Sequence, residues 1–165
     1  MRSPKRVIPG PGQESVWDYP RPPRVEPATR HVRIELGGLV IVSSPNALRV
    51  LETAGAPTYY IPYKDIKMEH LRPSSGPQTW CEWKGAATYF DVVAGKGAAE
   101  RAVWTYPDPL PNFKQLLDHY SFYPGKVACY LDDEPVTPQP GGFYGGWVTS
   151  DIVGPIKGEP GSAGW

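Results

Sequence analysis

Apolar and polar positions alternate in short runs along most of the chain, and the runs predict strands rather than long helices. Val32, Ile34 and Leu36 alternate with Arg33 and Glu35, the period-two mark of a half-buried strand. Gly37-Gly38 separates that run from Leu39-Val40-Ile41-Val42. Two glycines between β-branched runs predict a hairpin, because tight hairpin turns need positive φ. Ser44-Pro45 then reads as an N-cap and first helical position. It is followed by a short helix with Ala47, Leu48 and Leu51 on its apolar face, ended by Gly55 and Pro57.

Further on, Tyr59-Tyr60-Ile61 predicts a strand stopped by Pro62, and Lys64 to Leu71 a turn or short helix. Gln78 to Trp83 and Ala86 to Val93 form a second hairpin around Lys84-Gly85, and Ala94 to Ala99 a small-residue loop. Val103 to Tyr106 and Val127 to Leu131 are further strands, with a helical turn at Asn112 to Leu117 between them and Asp132-Asp133 as the closing turn.

The pattern divides the chain into an N-terminal proline-rich arm (1–30), a globular part (31–134) and a Gly/Pro-rich C-terminal arm (135–165). The N-terminal arm reads as largely extended or disordered. Its exception is Val16-Trp17-Asp18-Tyr19-Pro20-Arg21-Pro22-Pro23, whose aromatics predict a strap lying on the domain. Tyr144, Trp147, Ile152 and Trp165 punctuate the C-terminal arm and predict docking on the domain or on a second copy, as in a homodimer joined through its arms.

Composition agrees with a β-rich fold. The 165 residues include 21 Pro and 18 Gly, a density that long helices do not tolerate. Seventeen basic residues balance seventeen acidic ones, which argues against nucleic-acid or membrane partners. No apolar run reaches membrane-spanning length, and the first ten residues lack the apolar core of a signal peptide. The expectation is a cytoplasmic protein with two free thiols, Cys81 and Cys129.

Chemistry-bearing residues crowd into Thr79-Trp80-Cys81-Glu82-Trp83-Lys84-Gly85. On a strand, Thr79, Cys81 and Trp83 share one face and Trp80 and Glu82 the other. Trp104 and Tyr106 likewise share a face. Converging aromatics make either a flat-walled pocket for a planar or cationic ligand or a filled β core, and both readings stand. Lys84 is a candidate for holding an anionic group or moving a proton, or a solvated turn lysine. Cys81 is a candidate nucleophile or a small buried apolar residue. Glu52 either faces the same cavity or caps a turn. The candidate ligand-binding set is Glu52, Tyr60, Cys81, Trp83, Lys84, Trp104 and Tyr106. Binding of a small molecule by this set is the leading reading. An enzyme using Lys84 or Cys81 with Glu52, and an interaction module working through the arms, are the alternatives. No phosphate loop, dinucleotide fingerprint, Cys-x-x-Cys pair or nucleophile elbow occurs, so neither a cofactor nor a metal is implied.

Several of these segments carry a family resemblance. Glu52-Thr53, Pro57-Thr58-Tyr59-Tyr60-Ile61-Pro62, Thr79 to Gly85, Trp104 with Tyr106-Pro107, and Phe122-Tyr123 together resemble the uncharacterised family known as domain of unknown function 427 (DUF427). The resemblance runs from about Val32 to Leu131. Longer members carry a tail similar to Gly145-Gly146-Trp147-Val148-Thr149-Ser150-Asp151-Ile152-Val153-Gly154-Pro155. It implies a small β-tent of two antiparallel sheets, similar to the thalidomide-binding domain of cereblon and to the methionine sulfoxide reductase B proteins. Relatives in that wider group often hold zinc with four cysteines, and this chain has two. The family's thiol segment usually reads Cys-Pro-x-Lys-Gly, and here Glu82 stands in place of the proline. The family is sometimes labelled nucleotidyltransferase-like. That chemistry needs paired metal-binding carboxylates beside a Gly-Ser loop. Asp132 and Asp133 are adjacent and have no Gly-Ser partner before them.

Overall fold

The computed structural model describes residues 4–165; residues 1–3 of the predicted arm lie outside it. The strands in chain order are β1 (Glu14–Ser15), β2 (Arg24–Pro27), β3 (Val32–Leu36), β4 (Leu39–Ser44), β5 (Leu48–Leu51) and β6 (Thr58–Pro62). They continue as β7 (Leu71–Pro73), β8 (Thr79–Cys81), β9 (Gly85–Ala94), β10 (Gly97–Thr105), β11 (His119–Phe122) and β12 (Ala128–Leu131). Four two-residue strands close the chain: β13 (Glu134–Pro135), β14 (Thr137–Pro138), β15 (Trp147–Val148) and β16 (Ile152–Val153).

Two antiparallel sheets make up the body, as the resemblance implies. The larger runs β2-β5-β6-β11-β10-β9-β7, with β8 paired to β9 beside that path. The smaller runs β13-β12-β3-β4. The β3–β4 hairpin turns at Gly37 and Gly38, with φ of 60° and 80°, the double positive-φ geometry that glycine enters most readily. Asp132 and Asp133 turn β12 into β13 with φ of 46° and 67° and pair with Arg30 and Arg33.

The larger sheet is buried on both faces. Tyr59, Ile61, Val92, Val103 and Phe122 point toward the smaller sheet and meet Val32, Ile34, Ile41, Val42, Cys129 and Leu131 in the main core. Tyr60, Trp104, Tyr106, Phe113 and Leu116 form a second cluster on the opposite face. Alternate residues of β6 and β10 therefore serve different cores, because strand side chains alternate between faces. Trp147, from the C-terminal arm, is fully buried in the main core, and its indole N–H donates to the Phe122 carbonyl at 3.0 Å.

The structure corrects two local expectations and adds one strand. Residues 48–51 are a strand between β2 and β6, not part of a helix that starts at Ser44. Four residues repay little of the nucleation cost of a helix, whereas ladders on both sides satisfy their backbone. Leu48 and Val50 face the aromatic cluster, while Arg49 reaches Glu14 and Glu26 on the other side. The Ser44 hydroxyl accepts from the Asn46 N–H at 3.1 Å, which makes a local turn at the predicted cap. Residues 94–99 do not form an open loop, because β9 and β10 extend to a tight turn at Gly95-Lys96. His119–Phe122, which carries no strong alternation, is the strand that joins β6 to β10. The helical segments are short 3-10 turns, among them Pro111–Leu116.

The two ends of the chain meet. β1 pairs with β16 in parallel, Trp17 lies edge-on to Trp165 with centroids 5.5 Å apart, and Val16 and Tyr19 are buried with Ile152 and Ile156 in a third cluster. Among the described residues no helix is long and apolar enough to cross a membrane.

Candidate functional site

The β8–β9 hairpin turns its connecting residues toward the second core. Cys81 lies opposite Gly85 in the ladder. Gly85 has φ +110°, and a Cβ there would meet the Asp108 carbonyl at 3.3 Å. The Lys84 carbonyl accepts from the Leu110 N–H at 3.0 Å. These constraints clamp the turn against the segment that follows β10 and send the Lys84 side chain inward. Trp80, on the other face of β8, is 68% exposed, while Cys81 and Trp83 pack against the aromatic cluster.

Lys84 is only 9% exposed. Its ammonium donates to the Cys81 sulfur at 3.4 Å and sits 5.9 Å from the ring centroids of both Tyr106 and Phe113. Burial opposes its charge, but Tyr60, Cys81 and Glu52 favour it, and its pKa lies above the ordinary lysine value. The group is an ammonium at neutral pH. It has no carboxylate within ion-pairing distance among the described residues.

Behind it, a row of side chains crosses five strands. Register places Leu48 beside Tyr60, Tyr60 beside Ser121, Ser121 beside Trp104, and Trp104 beside Tyr89. The Trp104 indole N–H donates to the Tyr60 hydroxyl at 3.2 Å, with the rings at 87° and 6.1 Å between centroids. Tyr106 lies 6.3 Å from Tyr60, and Tyr123 4.5 Å from Trp104. The small Ser121 between the two large rings leaves them room to meet. Its own buried hydroxyl has no partner among the described residues. Burial raises the pKa of Tyr60 and Tyr106 well above the ordinary phenol range, so both remain neutral donors.

A cavity of about 170 Å³ opens in front of Lys84. One wall comes from β5, β6 and the loop between them: Val50, Glu52, Thr53, Gly55, Ala56 and Thr58. The other comes from the C-terminal arm: Gln139, Tyr144, Gly145, Gly146 and Lys157. Gln139 joins the walls, accepting from the Ala56 N–H at 3.1 Å and donating to the Lys157 carbonyl at 2.9 Å.

Of the seven residues singled out from the sequence, Glu52 and Lys84 line this cavity. Tyr60, Trp104 and Tyr106 are buried in the packed cluster around Lys84 rather than in the cavity lining, and Cys81 and Trp83 pack at its edge. Trp83 also borders a separate groove with Pro22, Pro23 and Phe113. Sequence reasoning did not select the five arm residues or Phe113. The Gly145-Gly146-Trp147 motif was the available signal for the arm, since glycines beside a buried indole mark close backbone approach.

A second cavity, of about 160 Å³, includes Glu14, Arg30, Arg49, Tyr59 and Asp151 in its lining. Its guanidiniums are already paired, Arg49 with Glu14 and Glu26, and Arg30 with Asp132, Glu134 and Asp151. It holds the arms to the body. Among the described residues no three His, Cys, Asp or Glu side chains gather as a metal site.

No curated protein matches the chain. The family described as "Domain of unknown function (DUF427)" matches residues 24–133 of the 165, a span that takes in both sheets up to the β12–β13 turn and leaves out the arm that walls the cavity. By that match, over the sheets and the Lys84 turn alike, the chain belongs to the DUF427 family.

Proposed function

We propose that this protein binds a small molecule in the cavity in front of Lys84. The observation that carries the reading is a buried ammonium at the base of an open cavity, with one hydrogen bond, to a thiol, among the described residues. An ammonium has three donors, and buried polar groups ordinarily find partners. A ligand acceptor fits the donors left over. Glu52, in the same lining, supplies an acceptor, and the packed rings hold Lys84 in place. The test is a thermal-shift screen of a metabolite panel against the wild type, Lys84→Met and Glu52→Gln. Hits that lose their stabilisation in the variants support the reading. Hits that keep all of it in both variants sink it.

The contact between Lys84 and Cys81 favours a second reading, in which Cys81 acts as a nucleophile with the ammonium of Lys84 beside its sulfur. Alkylation by iodoacetamide at neutral pH, faster than that of free cysteine, supports it. A slower rate removes it.

A further inference from the structure

The cavity carries a second cation. Lys157 reaches it from the C-terminal arm, with its ammonium 5.6 Å from the Tyr144 ring centroid. Like Lys84, Lys157 has no carboxylate within ion-pairing distance among the described residues. The backbone at Lys157 is fixed. Its N–H donates to the Ala54 carbonyl at 2.8 Å, and its carbonyl accepts from Gln139.

The contrast with the other charged cavity is informative. There, two guanidiniums are neutralised by five carboxylates. Here, Lys84 and Lys157 line one cavity with the single carboxylate of Glu52, which is itself unpaired among the described residues. Like charges sharing a partly enclosed space repel. A ligand oxyanion between them removes that repulsion and fills their donor positions. The lining thus has a formal charge of +1, in a chain whose net charge is zero.

The geometry points to a two-ammonium clamp, Lys84 from the β8–β9 turn and Lys157 from the C-terminal arm, that holds the carboxylate or phosphate group of a small ligand. This assignment rests on the reading of the cavity as a ligand site. The free volume is below the roughly 300–1,000 Å³ of sites for drug-sized ligands, so the ligand places its anionic group and a few atoms inside. Glu52 then faces the atoms next to that group and favours a donor there, such as a hydroxyl or ammonium. Lys157 lies outside the span matched by the family. A family member lacking this arm has one cation here rather than two.

The experiment is a titration of the full chain at constant ionic strength, followed by calorimetry and thermal shift. The probes are inorganic phosphate, glycerol phosphate, acetate and glutarate, with glycerol and acetamide as uncharged counterparts. Lys157→Met, Lys157→Arg and Lys84→Met are compared with the wild type, and Lys96→Met, at an exposed turn, controls for net charge. The expected result is binding of at least one anionic probe. It should weaken roughly tenfold or more in each Met variant, be largely kept by Lys157→Arg, and be unchanged by Lys96→Met. Phosphates binding without carboxylates, or the reverse, identifies the oxyanion. Anion binding that Lys157→Met leaves intact overturns the clamp. If uncharged probes alone bind, and Lys84→Met removes them, the clamp falls while the ligand-site reading stands. If no probe of either kind binds, both fail.

Discussion

Gly145 lies against the rim of the six-membered ring of Trp104, so close that a Cβ on Gly145 would stand 2.2 Å from Cη2 of the indole. Trp104 is 6% exposed and packed against Tyr60 and Tyr123, which limits how far it can yield. Gly145→Ala should therefore lift the arm from the cavity wall and destabilise the fold by roughly 1–3 kcal/mol. Chemical denaturation gives the size, and limited proteolysis of the arm gives the place. An unchanged midpoint with a protected arm would show that the arm can shift without cost.

Replacing Lys84 separates charge from volume. Lys84→Met keeps most of the packing and removes a buried charge that has no carboxylate partner. Its stability should fall by no more than about 1 kcal/mol, or rise. Lys84→Ala leaves a void beside Tyr106 and Phe113 and should cost roughly 2–4 kcal/mol. The charged form is favoured in the folded state, with its pKa above the ordinary 10.5. That contribution is complete below pH 10.5 and lost as pH rises through the folded-state value. Wild type should lose stability relative to Lys84→Met only in that alkaline range, measured by denaturation across pH.

The two thiols should separate cleanly. Cys129 is 3% exposed inside the main core, and burial pushes its thiol pKa far up, so it stays protonated and shielded. Cys81 is half-buried beside an ammonium. Ellman's reagent should label one thiol per native chain, the label should vanish in Cys81→Ser, and the second thiol should appear on unfolding. Two labels on the native protein would mean that β12 opens readily.

Acid should loosen the arms before the body. The Glu134 carboxylate accepts from the Ser150 backbone N–H at 2.7 Å and pairs with Arg30. Asp132 accepts from the His31 N–H and pairs with Arg30. Burial disfavours the charge of Glu14, but bonds from Arg49 and Tyr19 outweigh it. All three pKa values are lowered from ordinary values of 4.5, 3.8 and 4.5 for Glu134, Asp132 and Glu14. Stability from these groups is complete above those values and is lost as pH falls through the folded-state ones. The protection factor of the Ser150 amide, measured against its intrinsic exchange rate, should fall as pH drops through the lowered folded-state value of Glu134, and Glu134→Gln should lower it already at neutral pH. Protection at Ser150 that Glu134→Gln leaves unchanged at neutral pH would count against this latch.

The sequence by itself determined the features that local physics controls. Alternation at Val32 to Leu36, the Gly37-Gly38 turn and the run Tyr59-Tyr60-Ile61 each appear as read, because side-chain period and positive-φ turns are properties of a few adjacent residues. The split of Trp80 from Cys81 and Trp83 follows from the same two-residue period, and the recurring motifs carried the family. Residues 48–51 were not decided locally: an apolar pair three residues apart suits a helix face, and the flanking ladders of β2 and β6 made it a strand. The depth of Lys84 was not local either, since only the clamp between Gly85 and the Asp108–Leu110 segment turns a hairpin lysine inward. The cavity's second wall depended on an arm more than fifty residues further along the chain, brought back by Trp147 filling the main core. Which residues of distant segments share a space is set by burying surface from the whole chain at once, and only the tertiary structure resolves that.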